Sequence, residues 1–391
     1  LSPPNELLFL RLQVDDGSTT ATSLAVNGGG FDIPSLEDFE AYALGATLGG
    51  NGGWFLHAGT DPTVEEAVMT SFGHVAEMTG NTTHVSAFYK SSGDAETWVD
   101  LRIVPSVYAS GSTPSVDTDT SLAFYFDADG YLNVSDGGSW TVLNAVSAVD
   151  TDIWQRITAK LDYSNYLADI WLNGVSLATG LSFFDNRFQF SSINLRQESA
   201  EAAYLDNVKV QDVAIEALLP YTEGFESVTL GSPPSGLWVA ESGSIIASEE
   251  QAQEGTQSLK INGQATADFG GVGLGQTWVD LRVYPDGSNS APTLDPGTLV
   301  GVYFDTSGNA WISDGANWTN SGYTATLNSW QRVTIKMDYA TESCDLYING
   351  SPAGNNYSFA TSALTDSLQG IRIKGTNQYI DNVNVSVTSP F

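Results

Sequence analysis

The sequence predicts an all-β fold: two tandem antiparallel jelly-roll β-sandwich domains. Three observations predict it. Short apolar runs alternate with polar residues at the period of a strand and are separated by Gly-, Ser-, Thr- and Asn-rich turns. Glycine is abundant, at 39 residues, while charged residues make up only 15%. A series of landmarks occurs twice, in the same order.

The elements follow in chain order. Residues 1–30 form an N-terminal strand and linker, in which Leu8, Leu10, Leu12 and Val14 alternate with Phe9, Arg11 and Gln13. This strand has no counterpart later in the chain. Residues 31–212 form the first jelly roll, 213–220 a linker containing Pro220, and 221–391 the second. Phe39-Glu40 returns as Phe225-Glu226, and Thr97 to Arg102 returns unchanged as Thr277 to Arg282. Trp154-Gln155-Arg156 returns as Trp330-Gln331-Arg332, and Tyr204 to Val208 as Tyr379 to Val383. Between the landmarks, Leu172-Asn173-Gly174 and Ile348-Asn349-Gly350 read as hairpin turns, since Asn-Gly supplies the positive φ angles a tight turn needs. Asp127 to Gly130 resembles a fragment of a calcium loop, but Asp305 to Gly308 in its place reads as a simple turn.

The charge is lopsided, with 46 acidic against 14 basic residues and a net charge of -32. This excludes nucleic acid, whose backbone needs clustered Lys and Arg, and disfavours an anionic membrane surface. It suits solubility in extracellular water, so a secreted or cell-surface location is expected. The single cysteine, Cys344, excludes an intrachain disulfide and sits in an alternating run as a small core residue. No apolar stretch is long enough for a membrane span. A chain opening on Leu1 rather than Met reads as a processed or trimmed product.

The run Trp330 to Tyr339 followed by Asp345 to Gly350, with its counterpart from Trp154 to Gly174, resembles the hairpin signature of concanavalin A-like (laminin-G-like) sandwiches. The opening Gly224-Phe225-Glu226 and closing Tyr379 to Val383 resemble the end strands of carbohydrate-binding jelly rolls. The resemblance implies a structural calcium between a first-strand glutamate and a last-strand aspartate. The matching pairs are Glu40 with Asp206 and Glu226 with Asp381. The bland alternative is that Asp206 and Asp381 are solvent-facing strand residues. The architecture itself hosts lectins, glycosidases, adhesion modules and spacers.

Nothing in the sequence points to catalysis. His57, His74 and His84 lie outside any nucleophile or metal motif and read as loop or surface residues. Asp100 with Arg102, and Asp280 with Arg282, share a strand face at period two and read as structural ion pairs. Trp98, Trp154, Trp278 and Trp330 read as core. Trp140 and Trp318 lie in Gly-rich turns beside carboxylates; they read either as sugar-stacking platforms or as rings folded over the sheet edge.

The expectation is therefore a secreted, non-catalytic protein acting by binding or adhesion, with polysaccharide or a cell-surface glycan as ligand. The alternative is a self-assembling homo-polymer, a filament or surface layer, in which Leu8, Leu10, Leu12 and Val14 pair with a neighbouring molecule rather than with their own sandwich. A polysaccharide-degrading enzyme ranks third.

Overall fold

The structure is a computed structural model. It describes residues 8–13, 31–66, 73–80, 82–90, 95–105, 113–114, 116, 120–143, 148–149, 152–197, 202–215, 218–234, 236–273, 275–287, 291–295, 297–361 and 367–391. All described secondary structure is β, every strand pairing is antiparallel, and no helix long and apolar enough to cross a membrane is present among these residues. The chain divides into two units, Leu1–Ile215 and Glu216–Phe391.

In unit 1 the strands are β1 (Leu8–Gln13), β2 (Ser35–Glu37), β3 (Trp54–Ala58), β4 (Thr63–Glu66), β5 (His74–Met78), β6 (Thr83–Phe88), β7 (Glu96–Val104), β8 (Thr120–Phe126), β9 (Leu132–Asp136), β10 (Ser139–Val142), β11 (Gln155–Asp162), β12 (Leu167–Leu172), β13 (Val175–Ser182), β14 (Ser192–Gln197) and β15 (Ala203–Gln211). They form a seven-stranded sheet, ordered β10-β9-β8-β1-β14-β6-β3, and a second ordered β13-β12-β11-β7-β15-β5-β4, with β2 beside β15. Alternation decides what each face does. Val85, Ala87, Ile193, Leu195, Leu122 and Phe124 point from the first sheet into the core, where Leu101, Ile157, Ile170 and Leu205 meet them from the second.

The N-terminal strand is not an edge. β1 lies between β8 and β14, paired as Leu10↔Phe124 and Leu10↔Leu195. The expectation that this segment pairs with a neighbouring molecule is therefore corrected for Leu10 and Leu12, paired on both sides within the unit; Leu8 pairs with Gln197 on β14 alone. Val14 lies outside the described residues.

Unit 2 repeats the pairings with longer strands. These are β16 (Tyr221–Glu223), β17 (Trp238–Ser248), β18 (Ser258–Val272), β19 (Gln276–Tyr284), β20 (Val302–Phe304), β21 (Asn309–Asp314), β22 (Asn317–Thr324), β23 (Gln331–Asp338), β24 (Ser343–Ile348), β25 (Ser351–Ser358) and β26 (Leu368–Ser386). The large sheet runs β17-β18-β26-β19-β23-β24-β25, with β16 beside β26; β20-β21-β22 form a small one. Trp54↔Ala87 in unit 1 corresponds to Trp238↔Ala267 here, and Glu66↔His74 to Ser248↔Ser258. Hence β17 and β18 each do the work of two unit 1 strands, passing from one sheet to the other. The corner is turned at Gly243 and Gly263, where a Cβ on Gly243 would stand 1.8 Å from the Asn262 carbonyl oxygen. No strand of unit 2 stands where β1 stands in unit 1, among the described residues.

Candidate functional site

In unit 2 the paired acidic residues come together with one loop; in unit 1 the glutamate meets the start of β5 and the aspartate lies within reach of its charge. In unit 2, left-handed Phe225 turns the chain so that Glu226 reaches the β17–β18 loop. Its carboxylate accepts from the amides of Thr256 (3.0 Å) and Gln257 (2.9 Å). Gly255 is needed here, because a Cβ would lie 2.3 Å from Glu226 Oε1. Asp381 is fully buried on β26 and accepts from the amides of Gln253 (2.9 Å) and Glu254 (3.1 Å) of the same loop. Burial pushes its carboxyl up, against those amides and with the charge of Glu226.

Unit 1 repeats the plan. Glu40 accepts from the His74 amide at 2.7 Å, and a Cβ on Gly73 would meet its Oε1. Asp206 is buried, and burial pushes its carboxyl up to about 7; the Asn207 amide and Arg102 oppose this, while Asp38 and Glu40 add to it. The two aspartates are thus not solvent-facing strand residues. Each pair presents oxygens of the kind a hard cation takes, yet no group of three or more His, Cys, Asp or Glu side chains able to hold a metal converges among the described residues.

The Asp127 and Asp305 turns resolve as hairpins: each carboxylate accepts the amides two and four residues on. The indole of Trp311 and Asn309 hold the Asp305 carboxyl down, to about 2. Asp100 and Asp280 do form ion pairs, but not with the arginines two residues along. Their guanidinium partners are Arg156 (2.9 Å) and Arg332 (2.8 Å) on the adjacent strand, with Thr158 and Thr334 also donating to them.

Trp140 and Trp318 occupy equivalent hairpins. Each is half-buried, with its ring edge-on to Tyr125 or Tyr303 at 4.8 Å. The neighbouring carboxylates, Asp136 and Asp314, accept from the amides of Ser182 and Ser358. Each indole leaves part of its ring accessible. Trp98 and Trp154 are core, whereas Trp278 and Trp330 are half-buried.

Sequence reasoning missed the outward face of the seven-stranded sheet in unit 1. Cross-strand pairing lines up Trp140 with Ser135, Ala123 with Arg11, Arg11 with Asn194, Asn194 with Ser86, and Ser86 with Phe55; the Ala123 amide meets Ser135 Oγ at 2.9 Å. The row crosses every strand of the sheet. His57 and His84 flank its far end on strands, not loops, with rings stacked at 4.3 Å. Ser86 Oγ donates to Asn194 Oδ1, which leaves it to accept from His57 Nε2 at 2.6 Å. Arg196 pairs with His84 and so shares this face. The signal was available: Phe55 and His57, and His84, Ser86 and Phe88, alternate against apolar neighbours.

No protein-family model and no curated protein matches the chain. Solved structures do. A Trypanosoma rangeli sialidase in complex with sialic acid is 11% identical, covering 92% of this chain and 97% of its own, at a TM-score of 0.32. The catalytic domain of a glycoside hydrolase family 131 protein from Coprinopsis cinerea is 13% identical over 48% of this chain and 96% of its own, TM-score 0.33. Domain 4 of an extracellular family 43 arabinanase from Geobacillus stearothermophilus, with arabinotriose, is 17% identical over 37% and 76%, TM-score 0.30. These likenesses are too distant to carry a reaction or ligand across. Against the expectation of a non-catalytic binding or adhesion protein or filament subunit, these neighbours are named as a sialidase and glycoside hydrolases.

Proposed function

We propose that the chain is a secreted, carbohydrate-directed protein whose working surface lies at the two ends of the outward face of the seven-stranded sheet in unit 1. The observation that carries this is that the cross-sheet row ends at partly accessible rings, Trp140 on one side and Phe55 with the stacked imidazoles of His57 and His84 on the other. Between these ends Ala123, Ser135, Ser86 and Asn194 are buried, so each end offers room for a short sugar segment rather than one continuous track. Aromatic rings suit sugar faces. Incubation with a panel of polysaccharides, reading both retention on the polymer and release of new reducing ends, tests the reading. Trp140→Ala and His57→Ala are tested separately, and at least one lowers whichever signal is found by about tenfold or more, in line with about 1–3 kcal/mol for a lost stacking contact or hydrogen bond. A panel that is neither retained nor cut sinks the proposal.

The same proposal makes the two units concanavalin A-like copies, each closed by a calcium ion between Glu40 and Asp206 or Glu226 and Asp381. What supports it is that Glu226 and Asp381 meet one loop, and that Glu40 lies close enough to Asp206 to raise its carboxyl, so a cation there ties the first and last strands together.

A further inference from the structure

We infer that the β11–β12 turn of unit 1 carries a separate seat for a sugar ring, built from Tyr166 and Phe188. The inference rests on the carbohydrate reading above and adds a contact point on the other sheet. Asp162 shapes the turn: its carboxylate accepts from the amides of Ser164 (2.9 Å) and Asn165 (3.0 Å) and from the Asn165 side chain (2.8 Å). The turn delivers Tyr166 in the left-handed region, at φ 59°, where Gly and Asn are the favoured residues. The Tyr166 carbonyl accepts from the Phe183 amide at 3.0 Å. Its ring then stands between two others, 6.3 Å from Phe183 and 6.3 Å from Phe188, edge to face with both. Phe183 is buried and Tyr166 half-buried, while Phe188 is 74% exposed.

Unit 2 shows that the fold does not need the outer rings. Its equivalent turn keeps a left-handed residue, Glu342, whose carbonyl accepts from the Phe359 amide at 2.8 Å. It keeps the inner ring pair too, Tyr339 with Phe359 at 5.8 Å against Tyr163 with Phe183 at 5.4 Å. Yet glutamate stands in the place of Tyr166, and no aromatic residue occurs from Ala360 to Gln378, so Phe188 has no counterpart. A phenyl ring that packing does not require, held in water, gains by losing that water to a ligand. Size and surroundings choose the ligand. A stable protein interface takes about 800 Å² from each partner, far more than two side chains offer. Two rings set at a wide angle match the apolar face and edge of one pyranose. Ser164, Asn165 and Asn186, exposed and close to the rings in the chain, supply hydroxyl and amide groups for the sugar hydroxyls.

The test uses the full chain and neutral oligosaccharides of glucose, xylose, mannose and galactose, with binding read by isothermal titration calorimetry. At least one is expected to bind, and Phe188→Ser and Tyr166→Glu each to weaken it by about tenfold or more. Tyr166→Phe keeps the affinity, because the ring rather than the hydroxyl makes the contact. Tyr166→Glu installs the residue that unit 2 carries, and Phe188→Ser changes an exposed side chain, so the unit 1 melting transition stays in place in both. Should Tyr166→Glu shift that transition, Phe188→Ser alone decides. Where only a polymer of the panel above is retained, the same variants are read by retention on it. Binding that survives both turn variants overturns the seat and leaves the carbohydrate reading standing. Binding of no oligosaccharide and no polymer overturns both.

Discussion

At the scale of single residues, Asp206 carries the clearest consequence. Burial raises its carboxyl from 3.8 to about 7. In the unfolded chain it ionises near its ordinary value, so between about pH 4 and 7 the folded state binds more protons than the unfolded one. Stability then falls as pH rises through that window and levels off above it. Three pH units at about 1.4 kcal/mol each set a ceiling of about 4 kcal/mol. In chelator, urea melts of wild type and Asp206→Asn should diverge across this window, with wild type losing ground; a constant difference from pH 4 to 7.5 refutes the buried-carboxyl account. Residue-scale chemistry was only partly legible. The Glu–Asp pairs stood out because two copies share them. The partners of Asp100 and Asp280 did not, because period-two spacing fixes a face but not which neighbour's arginine crosses to it.

At the scale of elements, the cross-strand ion pairs differ in burial between the units. Arg156 and Asp100 are 6% and 16% exposed, Arg332 and Asp280 21% and 14%. The difference lies in the arginines, since Asp100 and Asp280 are about equally buried; Arg156→Leu and Arg332→Leu therefore each strand a mostly buried carboxylate and are each expected to cost about 3–5 kcal/mol, read from the separate unfolding transitions. Strand β1 makes the second case. Its alternation announced a strand, but strand periodicity says nothing of neighbours, and these come from residues more than a hundred positions away. A strand paired on both sides does not tolerate proline, so Leu10→Pro should lower the unit 1 transition by about 3 kcal/mol or more. The loss should be the same at every protein concentration and leave unit 2 untouched. A concentration-dependent transition means that β1 pairs between molecules after all. Of the histidines read as loop or surface residues, His57 is exposed, but His57 and His84 belong to strands, a placement that three scattered imidazoles do not reveal.

At the scale of the whole molecule, the repeat made the fold class and the two units legible, because ordered landmarks separated by near-constant offsets need one architecture used twice. What it hid is divergence built on the same frame. Unit 2 carries its strands through the corner and pairs Asp295 with Arg372 and Lys374 of β26; unit 1 breaks its strands and lays β1 through the sheet. The shared Glu–Asp pairs are then expected to serve stability rather than ligand choice, and calcium tests this. An ion bound only by the folded state at a hundred times its dissociation constant adds about 2.7 kcal/mol to that unit. For a unit of this size, about 2–4 °C per kcal/mol makes a rise of about 5–10 °C in its melting temperature. Asp381→Asn should abolish the rise in the unit 2 transition and leave that of unit 1 intact; Asp206→Asn should do the reverse. If the Glu226 and Asp381 carboxylates are fully served by the loop amides they already accept, calcium leaves both transitions where chelator puts them, and the pairs are hydrogen-bonded latches on the loop instead. The independent response of the two transitions separates these cases, because only a bound ion makes the effect of each aspartate depend on calcium.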